Sequence, residues 1–363
     1  MKHPVLRRVK SLHIIMMTDL MAMDYESRVK FMSLDEQNID KQRPFPEVHV
    51  SLILNLEDSR ESCLRDVLFL LNLLADSIHI DFQIYSSRRA FGRLIFAIRK
   101  EFVSIGMLEE GGRCLSVTVS EDEEYCRQIY EVVQTYANQE SLLFEKINVP
   151  DALRCNNYTE AYISSNTRWL VAHMMEKFMP DPLFGELVER VFGEDASMSD
   201  IKEVLYRTHK LENSLLGTVR IRMLVYDSAI TSLVSQDEVD FCGSRVKLTA
   251  DQKIALLEHI LEMMETYEQF EMRLIVGRLS EDILFSPDQS MFLSERSAFL
   301  RIMNVNGQMQ FLVTVRKEMK TLLDQFYEEV WDMPADVILS DQRDIRERIE
   351  FAISLIRRMS QSR

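Results

Sequence analysis

The chain has 363 residues, of which 46% are hydrophobic and 28% charged, and its formal net charge is -15. At about 150 residues per domain this length makes two or three domains, and the acidic balance repels phosphate backbones on average, so a nucleic-acid surface would have to be a local patch. The five cysteines, an odd number with no CxxC spacing, argue against a disulfide framework or a zinc cluster and fit a reducing cytoplasm.

Residues 1–23 carry early positive charge at Lys2, Arg7, Arg8 and Lys10, but their apolar part is broken by His13 and Asp19. The run is too short and interrupted to span a membrane, and no small-residue cleavage site follows it; it reads as a helix within an N-terminal helical extension over residues 1–43. A first α+β module is expected over residues 44–147. It opens with a strand at 48–54 and a helix at 60–75, whose apolar residues Leu64, Val67, Leu68, Leu71 and Leu74 are widened by Phe69, Leu70 and Leu73, so that it should be largely buried. Strands follow at 78–85, 94–98, 102–107 and 114–119, with Gly111-Gly112 as the last turn. Ser120 and Glu123 have capping-box spacing ahead of a helix ending near Tyr136.

A helical connector is expected over residues 148–217, with helices at 167–178, 183–192 and 199–213. A second α+β module should occupy residues 218–340. It starts with a strand at 220–226; Thr249 to Gln252 form a capping box for a helix stopping near Tyr267. Asn306-Gly307 joins strands at 299–304 and 309–315 as a hairpin, and a closing helix covers 316–331. An amphipathic helix over 341–363 buries Ile345, Ile349, Ala352, Ile353 and Ile356.

The two modules echo each other. Gln128 to Val133 matches Gln325 to Val330, each after a strand carrying Val-Thr-Val, and Ile80 to Tyr85 matches Phe270 to Ile275 in polarity. The separation, roughly 196 residues, is far beyond the period of a solenoid. The fold class expected is α+β: two related, internally duplicated modules with mostly antiparallel or mixed sheets, joined by the connector.

Little in the chain carries chemistry. None of its ten glycines forms a phosphate-cradling motif, and there is no GxSxG, no HExxH and no HxK followed by Asp of the kind phospholipase D-type duplicated enzymes use. Glu258, His259, Glu262 and Glu265 could share one helix face, as could His209 and Glu212, but a carboxylate metal site needs partners from other helices; both sets read as solvated faces. Cys114 and Cys126 flank a strand-to-helix junction and read as small hydrophobes. Arg88, Arg89 and Arg93, close to Phe91, form the densest basic patch of the first module. Guanidinium forks bind carboxylate or phosphate bidentately, which makes these three the candidate ligand site, with a solvated loop as the alternative. The arginines of the last helix alternate with Asp and Glu and read as surface pairs.

One resemblance adds to this. Val225 to Ile230, Glu238 to Phe241 with Gly243, Leu248 to Lys253, Leu257 to Leu261 and Phe270 to Ile275 give residues 219–331 a pattern that resembles the C-terminal, non-DNA-binding sensory region of Xre-like transcriptional regulators of Firmicutes. The resemblance covers about a third of the chain and carries no catalytic motif. It implies a sensory role. Such regulators place a helix-turn-helix domain first, whereas residues 1–43 show no two-helix pattern with a glycine turn and a basic recognition helix. The reading is therefore a non-enzymatic, cytoplasmic regulatory or ligand-sensing protein, without cofactor or metal, binding a small-molecule ligand or protein partner between its modules. The alternatives are a DNA-associated transcriptional regulator and an enzyme of unknown type.

Overall fold

The computed structural model describes residues 10–19, 47–56, 63–76, 80–109, 114–155, 159, 163–193, 198–280, 289–303 and 309–361. The chain divides into two compact units. Unit 1 comprises residues 1–145, 304–306 and 316–322; unit 2 comprises residues 146–303, 307–315 and 323–363.

In unit 1 the described elements run β1 (Ser11–Thr18), β2 (Glu47–Leu54), α1 (Cys63–Asp76), β3 (Ile80–Ser86), β4 (Arg93–Ile98), β5 (Phe102–Leu108), β6 (Cys114–Ser120) and α2 (Glu123–Gln139). The sheet order is β3-β2-β1-β4-β5-β6. The strands β1, β2 and β3 are parallel neighbours, while β4, β5 and β6 continue from β1 in antiparallel steps. Ile15, Met17, Ile53, Ala97 and Val103 of the sheet pack with Cys126, Val133 and Ala137 of α2. From Val67 to Leu74 every side chain of α1 is buried, as its wide apolar surface requires.

Unit 2 contains β7 (Glu145–Asn148), α3 (Val149–Arg154), β8 (Asn166–Val171), α4 (Asp181–Phe192), α5 (Ser199–Leu215), β9 (Arg220–Tyr226), α6 (Asp227–Gln236), β10 (Glu238–Phe241) and β11 (Ser244–Lys247). There follow α7 (Ala250–Thr266), β12 (Phe270–Ile275), β13 (Ser290–Leu293), β14 (Ala298–Met303), β15 (Met309–Thr314), α8 (Lys317–Trp331), whose first six residues fall in unit 1, β16 (Ile338–Leu339) and α9 (Gln342–Gln361). The main sheet has the order β16-β12-β9-β8-β13-β14-β15-β7. Its six inner strands repeat the unit 1 pattern: β8, β9 and β12 are parallel neighbours, and β13, β14 and β15 follow from β8 in antiparallel steps. One helix links the second and third strands in unit 1, two helices and a hairpin link them in unit 2, and a helix follows the sixth strand of each set. The α+β class with two mixed-sheet modules is thus observed. A tight hairpin joins β10 to β11, with Cys242 and Gly243 both at positive φ (48° and 80°), the geometry a two-residue type I′ turn demands.

Two expected helices are strands. Ser11–Thr18 is β1 and Asn166–Val171 is β8, each flanked by a parallel and an antiparallel neighbour inside its sheet. An inner strand covered on both faces reads as a continuous apolar run, with the alternation erased, and cannot be told from a buried helix by period. The N-terminal extension therefore supplies a strand to unit 1, and the remainder of residues 20–43 lies outside the described residues. The helices of the 148–217 connector belong to unit 2, whose sheet includes β8 from that same stretch. The capping box at Ser120 is also absent: Asp122 caps α2, accepting the Tyr125 N–H, while Ser120 accepts the Asp122 N–H. The box at Thr249 is present, with both of its hydrogen bonds. The strands β14 and β15 pair as a hairpin, and their Asn306-Gly307 turn lies outside the described residues, as does Gly111-Gly112.

On one face of the unit 2 sheet, Arg168 and Arg222 lie side by side on β8 and β9. Their repulsion is relieved by α8, where Glu328 bonds both guanidinium groups (3.0 and 2.7 Å) and Asp324 bonds Arg168 (2.6 Å). No helix among the described residues is long and apolar enough to cross a membrane.

Candidate functional site

In unit 1 the chain passes from β1 to β2 and β3 on one side, then back across to β4 on the other. The carboxyl end of β1 therefore lies at a switch in strand order, where open α/β sheets leave a crevice. Thr18 and Asp19 leave β1 there, Asn55 leaves β2, and Ser87 leaves β3. Asp19 is only 2% exposed. Its carboxylate accepts the Gly92 N–H at 2.8 Å and the Asn55 side-chain amide at 3.5 Å, and its own N–H donates to the Arg93 carbonyl at 2.9 Å. Gly92 takes φ +64°, a left-handed backbone that suits glycine, and its carbonyl accepts the Leu108 N–H at 2.8 Å.

The loop held in this way carries all three predicted arginines. Ser87 caps a short 3-10 turn over Arg88–Ala90, accepting the Arg89 N–H and donating to Glu140 at 2.7 Å. Arg88, Arg89 and Arg93 are exposed, and Phe91 between them is 63% exposed. Arg89 lies 4.6 Å from the centre of the Tyr136 ring and donates to Gln139 at 2.8 Å, so its guanidinium is pre-oriented. Arg93 makes no side-chain hydrogen bond or ion pair among the described residues. Exposed guanidinium groups beside an exposed ring in one short loop can take a carboxylate or phosphate and cover a flat apolar group beside it.

Unit 2 builds the corresponding place differently. After β8 the chain buries Met174, Met175, Glu176 and Lys177. Glu176 pairs with the buried Arg301 of β14 and accepts the Cys242 N–H at 3.3 Å; Asp240 takes Arg301 at 3.0 Å and the Gly243 N–H at 2.8 Å. Burial pushes the Asp240 carboxyl up, against the pull of Arg301. Lys177 contacts Glu212 and lies 5.1 Å from the Trp169 ring, and burial pushes its ammonium down to about 7. His209 stacks on Phe184 at 3.8 Å and meets Asp181 at 2.9 Å, with burial pushing its imidazole down. His209 and Glu212 are thus buried, contrary to the solvated face expected from their spacing. The four charges at 176, 177, 240 and 301 escape sequence reasoning because each is ordinary alone; the available signal is the Glu-Lys pair inside the apolar run from Met174 to Met179.

At the carboxyl ends of β9 and β12 lies a cavity of about 430 Å³, lined by Asp227, Ser228, Thr231, Ser232 and Ser235 of α6 and by Gly277 after β12. A larger cleft of about 640 Å³ runs beside it between α6 and α9, where Arg348 and Asp227 pair at 2.7 Å.

The remaining predicted positions are plain. Glu258 pairs with Arg357 at 2.8 Å and Glu265 pairs with Arg346, the surface pairing expected of the last helix. No group of three or more His, Cys, Asp or Glu is placed to hold a metal ion among the described residues. All five cysteines are free thiols; Cys126 is buried, which pushes its thiol up, and Cys114 is exposed.

No protein-family description matches the chain, and no curated protein does. Among solved structures, one match is TrmBL2, an archaeal chromatin protein with a novel mode of DNA binding, at 9% identity and a TM-score of 0.25 over 58% of this chain. The chain spans 62% of the length of that protein. Another is the yeast tyrosyl-DNA phosphodiesterase, at 10% identity and a TM-score of 0.24 over 86% of both chains. At these scores neither likeness carries an argument about fold or function.

Proposed function

We propose that this chain is a non-enzymatic regulatory protein that senses a small anionic ligand through the Arg88 to Arg93 loop of unit 1. One observation carries the reading: buried Asp19 fixes the loop backbone through Gly92 while three guanidinium groups and the Phe91 ring stay outside. A loop backbone fixed in advance loses little freedom on binding, and the ring offers its face to an apolar part of the ligand. The same loop touches the end of α2 through Ser87 with Glu140 and Arg89 with Gln139. A ligand that draws on Arg89 therefore biases the end of that helix, and this differential contact is the regulatory step.

Thermal-shift titrations with citrate and pyrophosphate test the reading. Stabilisation by either anion, lost in Arg88→Ala/Arg93→Ala, supports it; absence of any shift, or a shift unchanged in the double variant, refutes it. A second reading rests on the same groups, since guanidinium and exposed aromatic faces also suit single-stranded nucleic acid. Retention on a single-stranded DNA column that falls steeply with salt would favour that DNA-associated role.

A further inference from the structure

The two main sheets have four edges, and three are guarded. In unit 2 the edges are β16, with two residues, and β7, with four residues that include Glu145 and Lys146. In unit 1 the β3 edge carries Asp81 paired with His49 at 3.1 Å, and Tyr85 is bridged by Leu142. Short strands, charges and partial cover are the usual ways a sheet prevents its edge from templating another chain.

The fourth edge, β6, has none of these. It has seven residues without a charge or a proline, every one at least partly exposed, with Val117 55% and Val119 57% exposed. Among the described residues no strand pairs with its outer side. Its counterpart in unit 2, β15, shows what the position accommodates, because there β7 pairs with that side. The irregularity in the β5–β6 pairing falls between Met107 and Leu108, so the stretch from Ser116 to Ser120 is regular.

That regular stretch reads Ser-Val-Thr-Val-Ser, the same in both directions. We propose that β6 is a homotypic interface, pairing antiparallel with β6 of a second copy of this chain about a two-fold axis at Thr118. The palindrome selects a second copy over any other occupant. In this register Thr118 faces Thr118, Val117 faces Val119 and Ser116 faces Ser120, so like meets like on both faces of the ribbon. Each cross-strand apolar or hydroxyl pair adds to the main-chain bonds. The interface is isologous, as closed dimers require, and the two unit 1 sheets become one continuous sheet.

The test uses the full chain. Sedimentation or light scattering at tens of micromolar is expected to give the mass of two chains for the wild type and of one chain for Thr118→Lys, which sets two ammonium groups face to face. The circular dichroism spectrum of Thr118→Lys should match that of the wild type, since residue 118 is exposed in each chain. In a Cys114→Ser background, Thr118→Cys is expected to form a disulfide-linked dimer under mild oxidation, whereas Ser120→Cys is not. A monomeric wild type, a dimer that persists in Thr118→Lys, or equal cross-linking at both positions would overturn the proposal.

Discussion

Replacing Arg301 by methionine removes the cation from a buried cluster and leaves two carboxylates behind. The guanidinium contacts Glu176 and meets Asp240 at 3.0 Å; after its removal Glu176 still accepts the Cys242 N–H at 3.3 Å and Asp240 the Gly243 N–H at 2.8 Å. Removing one partner of a buried ion pair costs about 3–5 kcal/mol, because the remaining charge stays desolvated and uncompensated. Methionine fills much of the space of the arginine stem, so the loss reports charge more than cavity. The assay is urea unfolding followed by tryptophan fluorescence. Both tryptophans, Trp169 and Trp331, belong to unit 2, so the signal reads the unit that contains the cluster. The deficit should shrink as pH falls, since the Asp240 carboxyl, already pushed up by burial, loses the attraction that opposed its protonation. Adding Glu176→Gln and Asp240→Asn to Arg301→Met should restore part of the loss. A loss of about 0.5 kcal/mol, the scale of a surface substitution, or a deficit independent of pH, would mean that Arg301 does not compensate the two buried carboxylates.

Burial lowers the Lys177 ammonium to about 7 from its ordinary 10.5, so the unfolded chain binds more protons between these values and stability should rise with pH across that window. Lys177→Met should flatten the rise, as read from denaturation midpoints. For Glu328 burial acts upward, but the hydrogen bonds and charges of Arg222 and Arg168 prevail and hold its carboxyl low. It therefore contributes stability above the ordinary carboxylate range that is lost as pH falls through its folded value; Glu328→Gln should lower the midpoint at neutral pH and weaken that acid dependence. Gly243→Ala should destabilise unit 2 by about 1–2 kcal/mol or more, since a left-handed residue pays that strain and the new Cβ would lie 2.7 Å from Val149. Unfolding curves of that variant indistinguishable from wild type would contradict the turn geometry.

Elements with a one-sided or alternating pattern were legible in the sequence. The helices α1, α7 and α9 show their apolar faces, and β3 and β12 share a polarity pattern that marks the third strand of the six-strand pattern found in both sheets. The inner strands β1 and β8 were not legible, because cover on both faces removes the alternation that identifies a strand. Contacts distant in sequence hid the rest. Arg88, Arg89 and Arg93 stand together in the chain and could be picked out as a patch, whereas Asp19, which fixes their loop, lies 73 positions from Gly92 and sits in a run that reads as helix. His209 and Glu212 have the spacing of a solvated face, yet Phe184 and Lys177 cover them. Nothing local to either residue announces that cover.

If the Arg88 to Arg93 loop holds a small anion, that anion should stay with the protein through purification. Native mass spectrometry of the full chain purified from its own host tests it most directly. A small-molecule adduct is expected on the wild type and not on Arg88→Ala/Arg93→Ala purified alongside it. A wild-type chain carrying no adduct, or one that the double variant retains equally, would contradict it.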